Sequence, residues 1–389
     1  MKRKMQKTPM DSLLLVTLLA LLAFGLLMLY SATFYVGVDF WSQQLLWVVI
    51  GLVVLALFVA IPYPLWQRFA LPLMLGTLGL LLLVLLFGKT VLGAQRHFEL
   101  FGLSVQPGVL ARLTAVIYIA AWLASKGEQL SQVRYGLVPF SIIVGVVAGL
   151  VALQPDLSIA SLIIVVGLGM FFFAGGDPVQ IFLFTVTGSA TFGLLAWQLP
   201  HARNRLVGYV ESLRDPMQMS YHVRRAVTAI GSGGITGVGI GNGRLKAGYL
   251  PFAHTDSVFA VVGEEVGLLG SLLVIALFVL LAYRGYRIAL ATPDAFGSLL
   301  AFGVTTTLVV EALLNIMVMV GLVPFTGTAL PFFSYGGSQM LVTLAGAGLL
   351  LGISRGKPRG DWDAILDRRW RDWRARLSGA RRRRSPAGR

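Results

Sequence analysis

Apolar runs as long as SLLLVTLLALLAFGLLMLYSATF (residues 12–34) recur along the chain, with only short polar stretches between most of them. About 20 apolar residues in helix cross the hydrocarbon core of a bilayer. The pattern predicts ten spans, at about residues 12–33, 44–61, 69–87, 107–124, 136–153, 157–174, 179–198, 266–284, 298–320 and 338–354. The expected fold class is an all-α polytopic membrane protein of about ten transmembrane helices, with a large extracytoplasmic loop between the seventh and eighth.

Composition agrees with that picture. The 389 residues are 56% hydrophobic and 13% charged, against about 25% charged in an ordinary soluble domain. Lys2, Arg3, Lys4 and Lys7 precede the first run and would suit a secretory signal peptide. That run is longer than the ~7–15 residues of a signal-peptide core and further spans follow, so an uncleaved first helix is expected. The net charge of +15 invites nucleic acid as a partner, but its placement does not. Residues 1–11 hold four basic residues against Asp11, and residues 355–389 hold thirteen against four aspartates. Such clusters mark cytoplasmic ends beside anionic lipid, and no nucleic acid is expected. An even number of spans puts both tails on that side, giving a cytoplasmic N-tail 1–11, a membrane domain 12–354 and a cytoplasmic C-tail 355–389. In the C-tail, RRWRDWRARLSGARRRR (368–384) has the pattern of a basic amphipathic helix on the membrane surface, with disorder an equal alternative beyond Ser378. The absence of cysteine excludes disulfides, thiolate metal sites and a cysteine nucleophile.

Four notable connections then face outward: 34–43, 88–106, 199–256 and 321–337. All four histidines, His97, His201, His222 and His254, fall in them. Segment 199–256 is far longer than the ~15 residues beyond which a loop is usually functional or disordered. It holds seven basic residues (Arg203, Arg205, Arg214, Arg224, Arg225, Arg244 and Lys246) on the side where the positive-inside rule leaves few, which points to an anionic ligand. Its GSGGITGVGIGNG stretch (231–243) follows no strand and ends in no GK[ST], so neither nucleotide fingerprint is met. Close packing of re-entrant backbone on helices is the expected use of these glycines.

Carboxylates at membrane depth are costly unless they face protein or water, so each is a functional candidate. Five lie in or at the edges of spans: Asp156, Asp256, Glu264, Glu265 and Glu311. Asp156 follows Gln154-Pro155 in a tight turn and is placed to cap the next helix. Glu311 has Asn315 one turn away and is read as a protonated glutamate bonded to a neighbouring helix. Glu264 and Glu265 stand ~12–14 Å beyond Asp256 along a continuous helix, too far for a close acid–base pair. They are expected to hold helices together or to bind buried backbone donors. Asp256 stands where the basic, water-exposed loop meets the membrane, beside His254. Low dielectric at such a position tunes a carboxylate for general-base work. The competing role is an N-cap.

In order along the chain, YSAT (30–33), QPD (154–156), AIGSGG (229–234), YLPFAHTD…GEE (249–265) and NIMVMVGLVPFTGTALPFFSYGGS (315–338) resemble the shape, elongation, division and sporulation family of bacterial membrane proteins. The last two segments together are highly specific, and Gly263-Glu264-Glu265 is closer to the family's division branch. The resemblance implies a glycosyltransferase that polymerises lipid II into glycan strands outside the cytoplasmic membrane, in division or elongation. It also implies a class B penicillin-binding protein as the transpeptidase partner. The family's catalytic aspartate falls at Asp256. In that reaction the growing glycan is the donor and leaves undecaprenyl pyrophosphate, while lipid II offers its GlcNAc 4-hydroxyl. Asp256 takes the hydroxyl proton as the anomeric centre inverts. Preplaced cations stabilise the departing charge, and Arg203, Arg205, Arg244 and Lys246 stand in the right loop. A divalent cation, Mg or Mn, would share that work, with no metal ligands assigned. Arg112, Asp156, His254, Ser334 and Tyr335 complete the expected substrate contacts.

The chain also departs from the family's pattern. Its fourth helix opens QPGVLAR (106–112), with Gly108 and Val109 for serine and glutamate and Arg112 for lysine. Gln43 stands for an arginine, Phe252 turns LPE into LPF, and Ser158-Ile159 replaces Gly-Thr after QPDL. In the outer loop, Tyr221-His222…Arg225-Ala226 replaces Tyr-Gln…Gln-Ser. Without a glutamate at 109, Arg112 needs another partner, and Asp156 is the candidate. Two other readings stand beside the polymerase. One is a lipid flippase or transporter with Asp156, Glu264 and Glu311 along its path. The other is a non-catalytic scaffold, with the small residues Gly297, Ser298, Gly303 and Thr305 to Thr307 admitting a partner helix.

Overall fold

The computed structural model describes residues 10–34, 38–91, 94–100, 103–198, 200–215, 219–246 and 248–356. Most of the N-tail and nearly all of the C-tail, including 368–384, lie outside the described residues. The helices are α1 (Ser12–Thr33), α2 (Val38–Ala60), α3 (Tyr63–Phe87), α4 (Pro107–Lys126), α5 (Leu137–Leu153), α6 (Leu157–Phe173), α7 (Pro178–Gln198), α8 (Pro200–Arg214), α9 (Tyr221–Ser232), α10 (Val258–Glu265), α11 (Gly267–Ala291), α12 (Ala295–Met319) and α13 (Gly337–Ser354). Every expected span coincides with a helix, α1 to α7 and α11 to α13. Among the described residues, seven are long and apolar enough to cross a bilayer, and α5 and α6 are shorter apolar helices of 17 residues.

Several boundaries differ from expectation, each for a local reason. α2 and α3 begin six residues before their apolar runs (38 against 44, 63 against 69). In α2 the polar Gln44 is buried against the chain, its Oε1 accepting from Gly336 N at 3.1 Å. In α3 proline occupies the first turn, where its missing N–H costs nothing. The connection 88–106 forms a small antiparallel sheet of β1 (Lys89–Val91), β2 (Ala94–Leu100) and β3 (Leu103–Val105), so the fold is all-α only across the membrane. β1 and β3 have three residues each, too few for alternation to stand out, and β2 opens on the polar run Gln95-Arg96-His97, which breaks the alternation. The long outer segment holds α8 and α9, and no continuous helix runs from Asp256 to Glu265. A turn over residues 251–257 precedes α10, which breaks from α11 at Val266 and Gly267, the latter at φ +70°.

α12 is the central helix, packed against α4, α6, α11 and α13, with α2 lying along α13. Its small residues face inward: a Cβ on Gly303 would stand 2.6 Å from Met170 Sδ and 2.7 Å from Val116 Cγ1. The stripe expected to admit a partner helix is filled by the chain itself, Gly297 meeting Tyr63 of α3, Gly303 meeting α4 and α6, and Ser298 and Thr305 meeting Ala289 and Gly285 of α11. The α2–α13 contact relies on Gly348, where a Cβ would stand 2.7 Å from Leu55 O, so that the two backbones meet as small-residue pairs allow. At one end of the bundle Asp11 caps α1 through Leu14 N (3.0 Å) and takes Arg284 of α11 through Nε (3.2 Å) and Nη2 (2.6 Å).

In the interior, Arg112 of α4 is 2% exposed and ion-paired with Glu311 of α12. Gln339 of α13 donates to the same Glu311 Oε1 at 2.6 Å. The partner of Arg112 is thus Glu311 and not Asp156, and Glu311 is bonded to neighbouring helices, as expected, through Arg112 of α4 and Gln339 of α13.

Candidate active site

The turn carrying Asp256 is closed by its own backbone. Phe252 O accepts from Thr255 N (3.0 Å) and Ser257 N (3.2 Å), and Ser257 Oγ donates to Pro251 O at 3.0 Å. The N-cap of α10 is Ser257 rather than Asp256, so capping does not account for the aspartate. The end of α12 and the irregular segment that follows it hold this turn from outside. Asn315 Nδ2 donates to Asp256 O (2.8 Å) and Thr328 O (2.6 Å), Ser334 Oγ to Thr255 O (2.6 Å), and Tyr335 N to His254 O (2.8 Å). All four contacts are to main-chain oxygens. Gly327, at φ +73°, passes close to it: a Cβ there would stand 3.4 Å from Asp256 Oδ2.

Two aromatic groups adjoin the turn. On one side the ring of His254 lies 5.2 Å from Phe40 and 6.0 Å from Tyr335, whose hydroxyl donates to Gln43 Oε1 at 2.8 Å. Burial lowers the pKa of His254 and raises that of Tyr335, so both rings are neutral near pH 7. On the other side a ladder runs from Arg205 of α8 over Phe325 (5.3 Å), to His222 of α9 (4.2 Å), to Phe252 (5.9 Å). His222 Nε2 is 2.7 Å from Ser257 Oγ. Since the Ser257 proton goes to Pro251 O, the imidazole donates from Nε2. Burial, and then the Arg205 charge, lower the His222 pKa to about 4. Between pH 6.5 and 4 the unfolded chain binds a proton that the folded chain refuses. The stability this imidazole contributes is therefore complete above pH 6.5 and lost as pH falls toward 4. The thermal midpoint of the native protein is expected to drop between pH 7 and 5, and less steeply in His222→Gln, as a pH series of melting curves would read.

The glycine-rich stretch packs on helices, as its composition implies. Val238 N and Gly239 N donate to Glu264 O and Glu265 O, both at 3.0 Å, and a Cβ on Gly237 (φ +79°) would stand 2.1 Å from Glu265 O. Glu264 Oε1 accepts from Arg244 N (2.7 Å) and Leu245 N (3.0 Å). Glu265 Oε1 accepts from Lys246 Nζ (2.5 Å) and Ser31 Oγ (2.7 Å). The two glutamates bind buried donors and tie α1, the outer loop and α10 together.

The expected substrate contacts divide accordingly. Asp256, His254 and Tyr335 meet at one turn, and Arg205 joins them through the ladder. Arg203 is exposed and lies over Trp197 at 4.7 Å, and the Arg244 side chain is exposed on the glycine-rich loop. Four others are engaged inside the protein. Lys246 is 2% exposed and ion-paired with Glu265, Arg112 is ion-paired with Glu311, and Ser334 is buried with both its bonds to backbone. Asp156 is buried as the cap of α6, accepting from Ile159 N (3.2 Å) and from Gln106 Nε2 (3.0 Å). Burial of a charge demands a partner, and each has found one inside the protein. Sequence reasoning left His222, Phe325 and Asn315 out of the site. The signal for the first was its place in a departure from the family pattern, and for the other two their membership of the 315–338 motif. Among the described residues, no group of three or more His, Asp or Glu gathers as metal ligands.

The family model for FtsW, RodA and SpoVE, a cell cycle protein family, matches residues 11–358. The probable peptidoglycan glycosyltransferase FtsW of Geobacter metallireducens is 36% identical over 353 residues, covering 88% of this chain and 94% of that protein. Stage V sporulation protein E of Bacillus subtilis is 33% identical over 359 residues, covering 90% and 98%. Among solved structures, a peptidoglycan synthase complex that coordinates polymerization and crosslinking has a chain matching with TM-score 0.76 at 28% identity, over 90% of this chain and 99% of its own. The rod shape determining protein RodA of Thermus thermophilus matches with TM-score 0.69 at 28% identity, over 90% and 98%.

Proposed function

The chain belongs to the FtsW/RodA/SpoVE family of cell cycle proteins, and we propose that it polymerises lipid II at the outer face of the cytoplasmic membrane with Asp256 as general base. It is a multi-pass membrane protein and a peptidoglycan glycosyltransferase. The observation that carries the choice of base is the turn itself: the main chain around Asp256 is held by Asn315, Ser334 and Tyr335, while its carboxylate faces the close approach at Gly327.

In the proposed reaction the GlcNAc 4-hydroxyl of lipid II attacks the anomeric carbon of the growing glycan. The new C–O bond forms as the bond to the pyrophosphate oxygen breaks, the centre inverts, and the hydroxyl proton passes to Asp256. Water takes that proton before the next turn. The departing pyrophosphate gains charge, which a preplaced cation stabilises most where water is excluded. Arg205, braced on Phe325, is the cation joined to the Asp256 turn, and Arg203 and Arg244 supply exposed charge on the same outer segment. A divalent cation, Mg or Mn, held between a carboxylate and the substrate's own pyrophosphate would share that work.

Both termini lie on the cytoplasmic side in this reading, supported by the even number of spans and the basic tails. A crosslinking partner of the class B penicillin-binding type belongs to it too, supported by the likeness to a peptidoglycan synthase complex. The transporter reading loses ground because Asp156, Glu264 and Glu311 all serve internal contacts. Full-length protein, purified with its partner and given labelled lipid II, is expected to yield glycan polymer resolved on a gel. Labelled lipid II crossing the bilayer of proteoliposomes, with no polymer formed, is the outcome that sinks the proposal.

A further inference from the structure

Phe252 sits at φ +51°, a left-handed conformation that is a genuine outlier for a bulky L-residue. Such conformations are costly and gather at ligand clamps and active sites. Here the cost is bound to the placement of Asp256, because the Phe252 carbonyl is the acceptor that closes the turn through Thr255 N and Ser257 N. One face of the phenyl ring lies nearly parallel to the neutral His222 imidazole (13°), which is backed by Phe325 and fixed by Ser257 Oγ. Yet the residue is 51% exposed. A rigidly backed aromatic wall therefore stands open to the outside, four residues before the base and within the same closed turn.

We propose that Phe252 is a sugar platform: its ring stacks on a pyranose of the lipid-linked substrate and fixes the sugar's orientation toward Asp256. An aromatic face carries partial negative charge, and the C–H bonds on one face of a pyranose carry the complementary positive charge. Stacking of this kind needs a ring that cannot yield, which the His222 backing supplies. Its charge state does not vary with pH near neutrality, so the platform is constant over that range. The inference rests on the reading of Asp256 as the base of a glycan polymerase.

The test separates the two. Full-length Asp256→Asn protein in lipid nanodiscs binds labelled lipid II without consuming it, and sugar-free undecaprenyl pyrophosphate serves as the second probe. Adding Phe252→Gly is expected to weaken lipid II binding about ten-fold, the worth of one ring stack, with the sugar-free probe unaffected. Phe252→Trp keeps the native affinity for both. The thermal midpoint of Phe252→Gly holds, since glycine relieves the left-handed backbone as it gives up the contact with His222. Equal weakening of both probes would make the ring a membrane anchor and overturn the proposal. So would a lowered midpoint with both affinities intact, which would leave the ring a purely structural part. Undiminished polymerisation by Asp256→Asn would refute the base and leave the binding result to stand on its own.

Discussion

Asp256→Asn is expected to slow glycan polymerisation by about 10²- to 10⁴-fold, the usual contribution of a positioned base, while the thermal midpoint and the affinity for lipid II hold. Asparagine keeps the shape and removes the proton acceptor. The contacts that fix the turn reach the carbonyls of His254, Thr255 and Asp256, and Asn315, Ser334 and Tyr335 make them as well to an asparagine as to an aspartate. A loss made only in the transition state lowers kcat and leaves KM alone, so initial rates across a lipid II series read the role directly. A structural role would show itself otherwise, as a lower midpoint and a smaller folded fraction with kcat intact per folded molecule. Full activity in Asp256→Asn would remove the base from this site.

The membrane helices were legible because the signal is one-dimensional: a run of apolar residues long enough to span needs no knowledge of its neighbours. Asp256 was legible for a related reason, since a carboxylate at the edge of such a run already carries a cost that asks for a purpose. The cations were not, because arginine and lysine in an outer loop look alike until burial is known. Lys246 reads as a surface charge in KAGYL, yet folding of the glycine-rich loop brings it onto Glu265 from a distance of 19 residues. Arg112 and Glu311 are 199 residues apart, and only the packing of α4 on α12 makes them a pair. The ladder that supports the Asp256 turn draws on α8, α9, the turn and the segment after α12, and no spacing along the chain records that meeting. The break between α10 and α11 was hidden for a different reason, because Val266-Gly267 continues the apolar pattern while the backbone reverses to φ +70° at the glycine.

Breaking the Arg112–Glu311 pair is expected to cost more from one side than from the other. Removing one partner of a buried pair typically costs about 3–5 kcal/mol. Glu311 left alone can take up a proton and become neutral, still accepting from Gln339, whereas an arginine keeps its charge at any accessible pH. Glu311→Leu should therefore lower the thermal midpoint and the yield of folded protein well below Arg112→Leu, and the double replacement should recover most of the loss, since no charge then remains buried. Equal losses that simply add in the double variant would show that the residues act by shape and not as a pair. The missing family glutamate offers a sharper form of the experiment. Val109 is buried on α4 three residues before Arg112, on the same face of the helix. Val109→Glu placed in the Glu311→Leu protein gives Arg112 a carboxylate within its own helix and should restore part of the midpoint. Rescue would mean that this chain has moved its ion pair from within α4 to the α4–α12 contact, and so fastened to α4 the helix whose next turn, at Asn315, holds the backbone of Asp256.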